Sequence, residues 1–153
     1  MFIRSFLFIS LVFTLPAATV SAQTITQTQP LSFGTIAIRN YTDAVRLNIR
    51  NNGSFTAQNG NAYVIEAPTR GEFLITEAPP NSTYTVTLSP SSVTLTGPGG
   101  SFELDNFRVR PNTLRTNGAG RDRFRITARL NSLSGTVFGD GTYTGDFDAI
   151  INF

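Results

Sequence analysis

Arg123-Phe124-Arg125-Ile126-Thr127-Ala128-Arg129-Leu130 alternates apolar and polar residues at nearly every step. A period of two places Phe124, Ile126, Ala128 and Leu130 on one face of a strand, with the arginines and Thr127 on the other. The same period recurs on both sides of this stretch. Val45, Leu47 and Ile49 alternate with Arg46, Asn48 and Arg50, and Asn52-Gly53 follows as a hairpin-turn dipeptide. Ala62–Glu66 and Glu72–Glu77 are short strand candidates separated by Pro68 and Gly71. Tyr84, Val86 and Leu88 alternate with Thr85 and Thr87, and Val93-Thr94-Leu95 resumes the pattern after Pro90. The last run follows Asp140-Gly141, with Tyr143, Phe147, Ala149, Ile151 and Phe153 on one face. Thr142, Thr144, Asp146, Asp148 and Asn152 take the other face, and Ile150 is the exception.

One segment changes phase. Phe102 and Leu104 share one face, whereas Phe107 and Val109 need the opposite parity to point the same way. Two structures satisfy this: a residue bulged out near Asp105-Asn106, or a turn between two short strands. Asn51–Asn61 is the longest polar stretch and reads as a loop. No window outside the first 22 residues carries a clear helical stripe. The reading is an all-β chain, with about eight short strands in one antiparallel sandwich.

The absence of Cys and His from the 153 residues removes whole chemistries. There is no disulfide framework, thiol nucleophile, His-based triad or His/Cys metal site. Asp140, Asp146 and Asp148 lie near glycines, but the loop order of a calcium hand and its distal Glu are missing, so a turn and an outward strand row explain them. Gly97-Pro98-Gly99-Gly100 has no helix or Lys beside it to cradle phosphate and reads as a turn. No catalytic, metal or cofactor motif emerges, and the expectation is a protein that is not an enzyme.

Arg4 precedes the apolar run Phe6–Leu15, Pro16 ends it, and Val20-Ser21-Ala22 offers small residues for cleavage. These features predict a secretory signal over residues 1–22, too short in its apolar part to span a membrane, and a single domain over 23–153. The expected location is the periplasm and then the cell surface or extracellular space. Without Arg4, eleven basic residues face ten acidic ones, so no global field attracts nucleic acid. Every basic residue is arginine. Arg121, Arg123, Arg125 and Arg129 share a face and form a candidate anion patch, with Arg46 and Arg50 as a second row. That face suits an anionic glycan. It also suits a solvated sheet surface whose arginines pair with neighbouring carboxylates.

The blocks Ile25–Ile36, Asn81–Leu88, Val93–Gly97, Phe102–Phe107 and Gly141–Phe147, in that order, resemble a bacterial exported family catalogued as a domain of unknown function (family 4402). The resemblance spans nearly all of residues 23–153. It implies an immunoglobulin-like sandwich akin to the pilin-like subunits of chaperone–usher fimbriae, in which a neighbour's N-terminal strand completes the fold. On that reading Ile25, Gln27, Gln29, Leu31 and Phe33 are the candidate donor strand. Tyr143, Phe147, Ala149, Ile151 and Phe153 are the candidate strand for pairing with a subunit or chaperone. The expected partners are other pilin-like subunits, a periplasmic chaperone and an outer-membrane usher. The alternative is a soluble adhesive module that binds anionic glycan through the arginine face. Two glutamines amid the donor segment fill apolar sockets badly, so the segment also reads as an ordinary first strand.

Overall fold

The computed structural model describes residues 23–58, 61–132 and 135–153; the predicted signal segment lies outside the described residues. These residues form strands and loops and no helix, so nothing among them is a helix long and apolar enough to cross a membrane. The strands are β1 (Thr24–Gln29), β2 (Thr35–Ile38), β3 (Arg46–Ile49), β4 (Phe55–Gln58), β5 (Ala62–Glu66) and β6 (Gly71–Thr76). They continue with β7 (Thr83–Ser89), β8 (Val93–Thr96), β9 (Ser101–Arg110), β10 (Leu114–Arg115), β11 (Asp122–Asn131) and β12 (Asp148–Asn152).

The stretch that opens the sequence argument, β11, organises the larger sheet. Asp122–Ile126 pair with β6, and Arg129–Asn131 pair with β3. On its other edge β11 pairs with β9, which in turn carries β8. β1 lies outside β6 and β4 outside β3. A second layer is built from β10, β7 and β12, with β12 at its edge, and β2 and β5 form a separate two-stranded ribbon. Every one of these pairings is antiparallel.

The inward alternation supplies two buried clusters. Val45, Leu47, Val93, Phe102, Leu104 and Leu130 fill one. Ile75, Tyr84, Leu114, Phe124 and Ile126 fill the other. Phe107 and Phe147 pack against both, their ring centres 5.2 Å apart, and so tie the clusters together. At the second cluster the Tyr84 hydroxyl donates to Asp122 at 2.9 Å. Burial first, and then this carboxylate, push the Tyr84 phenol well up from its usual range. The buried Asn61 amide is fully used: it donates to the Asn40 and Asp43 carbonyls and accepts from the Asn40 amide, which fixes the turn after β2.

The change of phase between Leu104 and Phe107 is a bulge within one ten-residue strand. Asp105 faces Arg129 and Arg108 faces Thr127, so three steps of β9 oppose two of β11. Asn106 takes up the extra step at φ 50°, a left-handed conformation that Asn tolerates.

Three expectations change. The polar stretch Asn51–Asn61 is not one loop, because Phe55–Gln58 pair with β3 as β4. Phe55 and Ala57 keep the period of two, but Asn and Gly on either side dilute the signal. The turn before β4 is not a two-residue one. Arg50 and Ser54 bond across three residues, and only Gly53 takes a positive φ, of 85°. Finally, the closing run is a ladder only from Asp148 to Asn152. Tyr143–Phe147 are extended beside β8, with one bridge between Thr144 and Thr96. A Cβ on Gly145 would lie 2.7 Å from the Thr94 carbonyl oxygen, so the two backbones approach there too closely for any other residue.

Candidate functional site

Between β2 and the C-terminal segment the sandwich is open. The groove is about 830 Å³, walled by Leu31–Ile38 on one side and Phe138–Phe147 on the other. Leu95, Phe102, Leu104 and Leu130 form its floor. The floor is apolar because these positions carry the inward residues of β8, β9 and β11. The far wall is held by aromatic packing. Phe102 stacks on Phe138 at 4.1 Å and meets Tyr143 edge-on at 5.1 Å. The Tyr143 hydroxyl sits between the Pro98 and Gly139 carbonyls and accepts from the Gly139 amide at 3.1 Å. This anchors the segment to the turn that precedes β9.

Both walls present backbone edges. Among the described residues β2 pairs only with β5, and the far wall, Phe138–Phe147, lies outside every ladder. Segment Val137–Thr144 bonds towards Pro98, Gly100 and Thr96 on one side, leaving its other side to the groove. One strand edge and one irregular backbone segment therefore flank an apolar floor, an arrangement that offers an added strand backbone partners and sockets for alternate side chains.

The candidate pairing strand is divided between this site and the second cluster. Tyr143 and Phe147 line the groove, and Ala149 and Ile151 turn inward towards the second cluster. Phe153 packs against Tyr84 at 5.3 Å and stays 44% exposed. The candidate donor strand divides. Ile25, Gln27 and Gln29 belong to β1, paired with β6 of the same chain. Leu31 packs on the second cluster and Phe33 on the first. The β2 wall had no motif of its own in the sequence. Only Ile36 and Ile38, spaced by two, could have signalled it.

The candidate anion patch lies on the opposite surface, the outer face of the larger sheet. Arg123, Arg125 and Arg129 point outward from β11, and Arg121 is exposed just before it. Arg129 is committed to Asp105 through two hydrogen bonds, of 2.8 and 2.6 Å. Those bonds hold the Asp105 carboxyl below its usual range. Arg70 and then Arg125 do the same to Glu72. Carboxylates lowered in the folded state contribute stability above their ordinary titration, about pH 4, which is lost as the pH falls through their folded values. Chemical denaturation from pH 6 to pH 2.5 is accordingly expected to show falling stability, and Asp105→Asn to show a shallower fall. Equal slopes for the two proteins would contradict this assignment.

Among the described residues no group of three or more Asp or Glu side chains comes together to hold a metal ion. Neither the curated proteins nor the solved structures compared with the chain give a match. The family comparison does. From the first residue of the described sandwich to Phe153, residues 23–153 match the family described as Domain of unknown function (DUF4402), and the chain belongs to that family.

Proposed function

We infer that this chain is an exported, non-enzymatic structural subunit, pilin-like, that takes an extended strand of a neighbouring subunit into its groove and so assembles on the bacterial surface. The observation that carries the reading is the groove of about 830 Å³ between the free edge of β2 and the backbone of Phe138–Phe147. Open apolar grooves beside free strand edges invite indiscriminate pairing, so a chain built this way needs a partner strand soon after export. A periplasmic chaperone that lends a strand and an outer-membrane usher that exchanges it are the partners this reading requires. The signal segment predicted at residues 1–22 supplies the route.

The apolar floor favours a neighbour's strand with large apolar residues at alternate positions, of which this chain's own β1 carries one, Ile25. Leu31 and Phe33 are built into this chain's own core and are not donated. β1 is an edge strand with five of its six residues exposed, so releasing it costs few buried contacts.

Assembly tests the proposal. Recovered from the surface of the cell that makes it, the chain is expected in complexes that resist heat and detergent. Ile38→Asp, which sets a charge into the groove wall, is expected to cut the assembled fraction about tenfold, the effect of ~1.4 kcal/mol on an equilibrium. Recovery of wild-type chain only as a free monomer that unfolds reversibly would sink the idea.

A further inference from the structure

The outer face of the larger sheet is electrostatically uneven, and its two ends differ in kind. At one end the arginines are satisfied: Arg129 grips Asp105, and Arg46 donates to Asn131 at 3.1 Å. At the other end Arg125 of β11 stands directly opposite Arg110 of β9, and Arg108 stands opposite Thr127. Directly opposed side chains in an antiparallel pair point to the same face, so like charges meet there at unfavourable range. Arg123 completes the group two residues along β11. Among the described residues one carboxylate reaches this end, that of Glu72, and it is divided between Arg70 and Arg125. The Arg110 Nε is buried and has no hydrogen-bond partner, and Arg108 reaches only the side chain of Asn106, at 3.5 Å.

Arg125 and Arg110 thus face each other at the centre of a staggered row. Arg123 lies about 7 Å away along β11 and Arg108 about 7 Å away in the opposite direction along β9, so the patch is roughly 14 Å long by 5 Å across. Glu72 offsets part of this crowding, at Arg125 alone. The row's chemistry suits oxyanions spaced along an extended chain, with parallel N–H donors from the central pair and from each end. The surroundings speak to what carries those anions. Arg123, Leu74 and Thr26 lie in register across three neighbouring strands, so that end of the arginine row runs into a half-buried apolar side chain and then a hydroxyl. A sugar ring has the matching features, an apolar face and a rim of hydroxyls. With 12 basic against 10 acidic residues, the chain lacks the general positive field that nucleic-acid binding draws on.

We propose that Arg108, Arg110, Arg123 and Arg125 form a binding site for a sulfate or phosphate ester carried on a polysaccharide. The site is remote from the groove and independent of how the groove is filled.

Calorimetric titration of the exported chain with a heparin-derived octasaccharide tests it. Binding is expected, at least tenfold weaker for the fully desulfated octasaccharide and for the R110Q/R125Q variant. R129Q, whose arginine is already engaged, is expected to stay within threefold of wild type. The melting midpoint of R110Q at low salt is expected to equal or exceed that of wild type, since Arg110 forms no ion pair among the described residues and its charge opposes that of Arg125. Four results would overturn the proposal: no binding of the sulfated probe, equal weakening by R129Q, a lowered midpoint for R110Q, or binding confined to phosphatidic acid vesicles.

Discussion

A chain extended beyond Phe153 by a flexible linker and a strand of alternating large apolar residues is expected to unfold about 10 °C later than the chain alone. The reason is the emptiness of the groove between β2 and Phe138–Phe147. Burying a large apolar side chain stabilises by ~1.5–3 kcal/mol, and about four sockets lie along a strand of this reach. Ordering the added residues takes back most of that gain, leaving a net effect on the order of 3 kcal/mol. For a domain of this size each kcal/mol moves the midpoint by roughly 3 °C. The measurement needs two companions. An added strand shifted by one residue presents its polar side chains to the sockets and is expected to give little shift. A Gly/Ser strand of equal length is expected to give none. If all three extensions behaved alike, the groove would not be a receptor for a strand.

Phe124→Ala is the second large effect. Phe124 is fully buried, in the half of β11 that pairs with β6, and stacks on Phe73 with ring centres 5.1 Å apart. Truncating such a ring removes the transfer free energy and leaves a cavity, which together cost about 3–5 kcal/mol. Domains typically hold only about 5–15 kcal/mol in all, so the variant is expected to lie close to its unfolding midpoint at 37 °C. Urea denaturation should show a much lower midpoint with an unchanged slope. Phe55→Ala offers the contrast, because Phe55 is 37% exposed on β4 and has less burial to lose. A loss below 1 kcal/mol at Phe124 would mean that the second cluster is not the packed core described above.

The strands that alternate cleanly were legible in the sequence because one face of each is buried. β5, β6, β7 and β11 stand within a residue or two of where the period of two places them. β4 was hidden because composition and pattern disagree there: Phe55 and Ala57 alternate correctly among Asn and Gly. The closing run was overextended for the opposite reason. Its parity is right through to Phe147, but Gly145 presses against β8 and interrupts the ladder. Parity alone could not decide between a bulge and a turn at Asp105-Asn106, since both reverse the faces; the pairing of β9 with β11 along its length decides it. The groove itself left little trace in the sequence. Its floor reads as ordinary core, and an opening is a property of which edges fail to meet, which no single strand records. The arginine patch was half visible. Arg123 and Arg125 are evident on β11, whereas Arg108 and Arg110 join them only through register with another strand.

Asn106 has a consequence for how this chain can vary. Elsewhere, as at Gly118, where an added side chain would meet nothing, the residue can change at little cost. Between Asp105 and Phe107 the residue count is itself a structural parameter. Losing one there would turn Phe107 and Val109 out to solvent and swing Arg108 and Arg110 into the interior, so two strands' worth of packing depends on a single peptide unit being present.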